Sequence, residues 1–280
     1  MAHLVNVKVN FDALSEVANL GVRRAAVFMG IGVNASQVDP PIPHVLEGGM
    51  QFTVIPDNLP IDQRKVNAEE FARWVVAGGF RELAETFSVF LHDVYYAGLV
   101  LDREKITVGE HQKALSKFSR QGVSDQLVIA SDLLKIDAPF SPTFETMNQA
   151  RNCMAHRRGI VGAKDVDETE SFTLKWRALA LTLEDGQDLS LLLAAGTPVE
   201  IKGGQALSVG MVDREKKFAL GDQILLSRHD LQEFCLAVQI AAEVVMKGLA
   251  DLAQKKGKMP PKTESQTPAD AADPDAAPAT

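Results

Sequence analysis

Residues 151–162 read RNCMAHRRGIVG. Arg151 and Asn152 come first, His156 follows, and Arg157 and Arg158 stand directly after it. A guanidinium can give two parallel charged hydrogen bonds to a phosphate. An imidazole can take or give a proton near neutral pH. Asn152 can orient the imidazole or bind a ribose. These are the parts needed to cut RNA without a metal. The 2′-OH loses its proton, its oxygen attacks the neighbouring phosphorus, and the arginine stabilises the charge on the pentavalent oxygens.

The spacing alone is weak. In a chain of this composition an arginine followed five positions later by a histidine arises by chance about 0.3 times. The same residues also suit a helix C-terminus, where cations meet the negative end of the dipole. Five helical steps turn about 140°, so Arg151 and His156 would not share a face of a straight helix. They converge only if the helix ends between them, or if two copies meet across a dimer axis.

The elements around this stretch are mostly helical. The spacing predicts a helix from Asp12 to Gly30 after a short strand carrying Val5, Val7 and Val9. Residues 34–60 contain DPPIP and IPDNLP and read as loop or extended chain. Asn67 with Glu70 reads as a capping box for a long helix that Gly78–Gly79 could kink. A second helix covers about 109–134, with Gly122 as an interruption. Ser141-Pro142 opens a third, capped by the serine, which ends in the arginine–histidine stretch. Residues 166–226 read as a small antiparallel sheet. A switch of apolar phase from Phe172, Leu174 and Trp176 to Leu179, Leu181 and Leu183 suggests a bulge, and turns fall at Asp213–Lys216 and Gly221–Asp222. Ser227 with Asp230 caps a returning amphipathic helix.

The expected fold is therefore α+β, mainly α: a four-helix bundle with a small antiparallel sheet inserted between helices three and four. The segments are 1–60, an N-terminal strand–helix lobe with a Pro-rich loop; 61–165, helices one to three; 166–226, the sheet; 227–255, the fourth helix; and 256–280, a disordered tail poor in bulky apolar residues.

In this setting the chain resembles the HEPN family. Arg151, Asn152 and His156 match its arginine, polar residue and histidine at the end of the third helix, and Gly159-Ile160-Val161 matches what often follows. The turn Gly221-Asp222-Gln223-Ile224-Leu225-Leu226-Ser227 resembles the lead into the family's last helix. The likeness spans roughly residues 67–165 and 220–255. Ala155 departs from it, since a larger aliphatic residue more often precedes the histidine. The resemblance implies a HEPN-like bundle and a metal-independent endoribonuclease of a toxin–antitoxin, stress or phage-defence system, working as a homodimer. Arg151 and His156 would be catalytic, Asn152 supporting, and Arg157 and Arg158 RNA-binding. The implied partners are RNA, a second copy, and an antitoxin or regulatory protein, with no metal and no cofactor. Some members of the family are non-catalytic interaction or sensor modules, which is the alternative reading.

Other features bound these expectations. The net charge of −8 argues against coating nucleic acid by charge alone, so a basic cleft must be local. No apolar run is long enough to span a bilayer and no secretion signal is evident, so no membrane is expected and a cytoplasmic location is the default. Cys153 and Cys235 sit apart in apolar helical stretches and read as buried thiols, not zinc ligands. GIGVNAS at 30–36 lacks the lysine of a phosphate loop. His92-Asp93 reads as a boundary pair, His44 has no partner in sequence, and Glu82 and Glu85 read as surface charges.

Overall fold

The computed structural model describes residues 8–42, 56, 58–102, 107–184, 186–199 and 206–259. Along the chain run α1 (Phe11–Ser36), α2 (Ile61–Asp102), α3 (Val108–Phe118), α4 (Val123–Leu134), α5 (Ser141–Arg157), β1 (Ser171–Leu183), α6 (Leu189–Ala194), β2 (Leu207–Ala219) and α7 (Arg228–Lys255). The architecture is mainly helical, with one two-stranded antiparallel sheet inserted between α5 and α7.

Helix α2 is the axis of the molecule: α1, α4, α5 and α7 all pack on it. Phe80 meets Phe234 of α7 with ring centroids 4.9 Å apart, and Phe87 stacks on Phe144 of α5 at 4.3 Å. Trp176 of β1 reaches the same Phe234 at 4.9 Å, so the sheet and the helices share one aromatic core. Ala18, Ala25 and Met29 of α1 belong to that core as well. Small residues let α1 approach α2. A Cβ at Gly21 would fall 2.5 Å from Thr86, one at Gly32 would fall 2.6 Å from Val75, and one at Gly79 would overlap Met29.

Local chemistry sets most of the boundaries. Asn10 caps α1 by accepting the Ala13 N–H at 3.1 Å. Helix α7 starts with the expected box: Ser227 Oγ accepts the Asp230 N–H at 3.1 Å, and Asp230 accepts the Ser227 N–H at 2.6 Å. Gly122 separates α3 from α4, as its sequence position suggests.

Several expectations need correction. Asn67 caps nothing, because α2 begins after Pro60, whose carbonyl accepts the Arg64 N–H; Asn67 lies within the helix and accepts from Gln63. The helix also runs unbroken through Gly78 and Gly79. Ser141 is inside the first turn of α5, its hydroxyl bonded to Ser124 at 2.7 Å instead of capping. Residues 8–10 form no strand, and Val5 and Val7 lie outside the described residues.

The sheet differs too. β1 and β2 pair without a bulge from Ser171↔Ala219 to Leu183↔Leu207, and β2 runs straight through the turn expected at Asp213–Lys216. The inward phase persists past the expected switch: Ala178 and Ala180 continue the face of Phe172, Leu174 and Trp176, Leu179 points outward, and the other phase is buried at Leu183, the end of the strand. A helix the sequence did not announce, α6, follows Asp188, whose carboxylate accepts the N–H groups of Ser190 and Leu191.

The ribbon is pinned to α7 by a buried polar cluster. Glu233 accepts Trp176 Nε1–H at 2.7 Å and Arg214 Nε–H at 3.3 Å, with His229 Nε2 at 3.0 Å. Arg214 also meets Asp188 at 2.6 Å. Burial pushes the Asp188 carboxyl up, but the hydrogen bond and charge of Arg214 outweigh it and hold the group below its ordinary value. On the other side, β1's free edge is covered by side chains. Thr146 Oγ1 accepts the Lys175 N–H at 3.0 Å, Thr143 Oγ1 the Arg177 N–H at 3.2 Å, and Ser190 Oγ the Leu181 N–H at 2.8 Å.

Candidate functional site

The stretch singled out by sequence is the last turn and a half of α5 and its exit. Met147, Ala150, Cys153 and Met154 face the core and fix the rotation of the helix. Residue positions 152 and 156, one turn apart, then share an outward face. The helix stays regular through Arg157, and Arg158 ends it in a left-handed conformation at φ 56°. It does not end between Arg151 and His156, so within one chain these two point to different sides.

His156 and Asn152 open onto a groove of about 890 Å³ between α5, the segment 164–167 and β1. Its lining is polar: Glu145, Gln149, Lys164, Asp165, Asp167, Thr173 and Lys175 contribute beside them. His156 is exposed and Asn152 half-buried. Two lysines face the histidine's groove from different elements, and neither was singled out from sequence. Lys175 had a readable signal, since it lies on the outward phase of β1. Lys164 had none, because its place depends on how the loop folds.

Arg151 is not part of this lining. Its Nη2 donates to Asn148 Oδ1 at 2.5 Å, and its Nε is buried without a hydrogen-bond partner. Arg157 does line the groove but is engaged: Nε donates to Asp165 Oδ2 at 2.8 Å and Nη2 donates to Oδ1. The Gly162 N–H also donates to Asp165, at 2.8 Å, so the pair folds the exit loop back on the helix. Arg158 is exposed, 3.9 Å from Glu70.

The two flanking motifs pair with each other. The Val161 N–H donates to the Asp222 carbonyl at 2.8 Å, Gly221 N–H to Val161 at 2.9 Å, and Ile224 N–H to Gly159 at 2.8 Å. A short backbone ladder thus ties the exit of α5 to the entry of α7. Beneath it, Cys153 is buried, its thiol donating to the Ile160 carbonyl at 3.2 Å, and burial raises its pKa. Cys235 is buried as well, and burial pushes its thiol up to about 11. Neither is a thiolate at neutral pH.

Among the described residues, no helix is long and apolar enough to cross a membrane. Comparison with protein-family models, curated proteins and solved structures finds no match to this chain.

Proposed function

We propose that the chain is a metal-independent RNA-cleaving protein of the HEPN type, binding single-stranded RNA in the α5–β1 groove. The observation that carries this reading is the shared face of His156 and Asn152, open to a polar groove that also holds Lys164 and Lys175. Lysines neutralise phosphates, and an exposed imidazole beside them is free to move protons. His156 takes the 2′-OH proton; the 2′-oxygen bonds to phosphorus; the phosphorus–5′-oxygen bond breaks; and the 5′-oxygen leaves as an alcohol, with the proton that the imidazolium returns to it directly or through solvent. Asn152 holds the imidazole or the ribose. Arg151 is turned away from its own chain's groove, so its guanidinium serves a phosphate only where a second copy meets α5. The HEPN-like bundle, a homodimer and a role in defence or stress response belong to the same reading. It rests on the sequence resemblance together with the backbone ladder that ties the exit of α5 to the entry of α7.

Incubation of total RNA with wild type and His156→Ala, in the presence of a metal chelator, tests it. Cleavage by the wild type should leave 2′,3′-cyclic phosphate ends, and His156→Ala should leave the RNA intact. Equal cutting by both chains removes the mechanism. A non-catalytic binding module is the second reading. It is favoured by the engagement of Arg157 with Asp165 and of Arg151 with Asn148. It expects RNA or protein binding with no cleavage, unchanged in His156→Ala.

A further inference from the structure

A second cavity of about 540 Å³ adjoins the His156 groove, and Pro142 and Lys175 line both. Together the two follow the outward face of α5 from His156 back to Pro142, about 21 Å at helical rise. The second cavity holds Arg177, two residues beyond Lys175 on the same outward phase of β1. Residues so placed stand about 7 Å apart, close to the spacing of successive phosphates in an extended strand. Arg177 is held in position. Its backbone N–H donates to Thr143 Oγ1 at 3.2 Å, and its guanidinium lies over the buried Phe140 ring, 5.7 Å from the centroid. Its Nε is buried without a hydrogen-bond partner. Asp213 Oδ1 is 3.3 Å from that nitrogen, but no hydrogen bond joins them, and the Asp213 side chain is 87% exposed. An ion pair of that kind contributes little. The guanidinium thus keeps charged donors unspent, unlike Arg157 on Asp165 or Arg214 on Asp188 and Glu233.

We infer that Arg177 is a second phosphate anchor, so that the site takes a single RNA strand of about four nucleotides, the low end for single-strand sites. This rests on the RNA reading of the groove. The scissile bond lies at His156, Lys175 holds an intermediate phosphate, and Arg177 holds the phosphate after it. A guanidinium suits that end, because it can meet two phosphate oxygens at once. Acidic side chains line both cavities as well, among them Glu145, Asp167 and Asp213. Bulk attraction is thus close to cancelled, and affinity comes from the few donors placed along the path. Length then becomes the property that the site reads. A dinucleotide seated at His156 does not reach Arg177, and a tetranucleotide does.

Fluorescence anisotropy on the full chain tests it, with labelled 2′-O-methyl oligouridylates that cannot be cut because the attacking hydroxyl is blocked. Affinity should rise at least about tenfold from the dinucleotide to the tetranucleotide, as one charge-assisted anchor gives, and then level off. Arg177→Ala should abolish that gain and lower the tetranucleotide's slope of log affinity against log salt by about 0.7. It should leave dinucleotide binding as in the wild type. Asp213→Asn should act in the opposite sense and tighten the tetranucleotide alone. Circular dichroism confirms that each variant is folded. Equal affinity for two and four nucleotides overturns the inference, as does an Arg177→Ala chain that binds the tetranucleotide like the wild type. Binding without regard to length or to Arg177 keeps the RNA reading and removes this anchor. Binding of none of the oligomers removes both.

Discussion

Arg157 holds Asp165 with two guanidinium nitrogens, and this pair sets the position of the segment that forms one wall of the His156 groove. Asp165 is almost fully buried, and the Gly162 N–H depends on it too. Asp165→Ala should therefore destabilise the chain by about 3 kcal/mol, because it leaves a half-buried guanidinium and an amide unpaired. Urea unfolding measures the loss. Arg157→Lys should recover little of the interaction, since an ammonium cannot reproduce the two-point contact.

Lys164 and Lys175 line the groove beside Glu145, Asp165 and Asp167, and hydrogen bonds from Thr169, helped by the Lys175 charge, hold the Asp167 carboxyl below its ordinary value. Alanine at either position should weaken RNA binding by a His156→Ala chain. Each should also lower the slope of log affinity against log salt by about 0.7, the value for one single-strand phosphate contact. Arg157→Ala should leave that slope almost unchanged, because its charge is already spent on Asp165. Fluorescence anisotropy over a salt series distinguishes the two behaviours.

Two glycines in the long helices should respond in opposite directions. Gly79→Ala forces a methyl into Met29, so a loss of about 1–3 kcal/mol is expected. Gly30 has nothing near its missing side chain, so Gly30→Ala should stabilise by about 0.5–1 kcal/mol through helix propensity alone. Thermal melts of the two variants give the contrast directly.

Cys235 links stability to alkaline pH. Its thiol titrates at about 11 in the folded chain against an ordinary 9.0. The folded state therefore holds its proton more tightly. The stabilisation is complete below the ordinary value and fades as pH rises through about 11. The loss amounts to about 3 kcal/mol over that interval. Cys235→Ala removes this dependence, so the stability difference between the two chains should shrink or invert between pH 9 and 11. Parallel denaturation curves across that range check the sign.

What could be read in advance was what closes locally. The Ser227–Asp230 box spans four residues, and Gly122 interrupts a helix wherever its neighbours pack. The 140° turn between Arg151 and His156 is likewise a property of any regular helix. The groove was not legible, because it exists only once β1 folds back along α5, and nothing near Lys164 records that contact. The inward face of β1 was misleading for a related reason. Helices α5 and α7 press on the ribbon, so alanines suffice at 178 and 180, while Leu179 stands on the outer side. Asn67 and Glu70 had the right residue types for a cap, but the helix had already started two turns earlier.

Thr143, Thr146 and Ser190 hold the outer amides of β1 with their hydroxyls. Those amides are not available to template another strand, and the ribbon cannot widen on that side. When the chain is crowded or partly unfolded, sheet-to-sheet growth must begin elsewhere. Exchanging the three hydroxyl residues for valine or alanine would turn a closed border into an adhesive one, with Thr146 the one of the three that also lines the His156 groove.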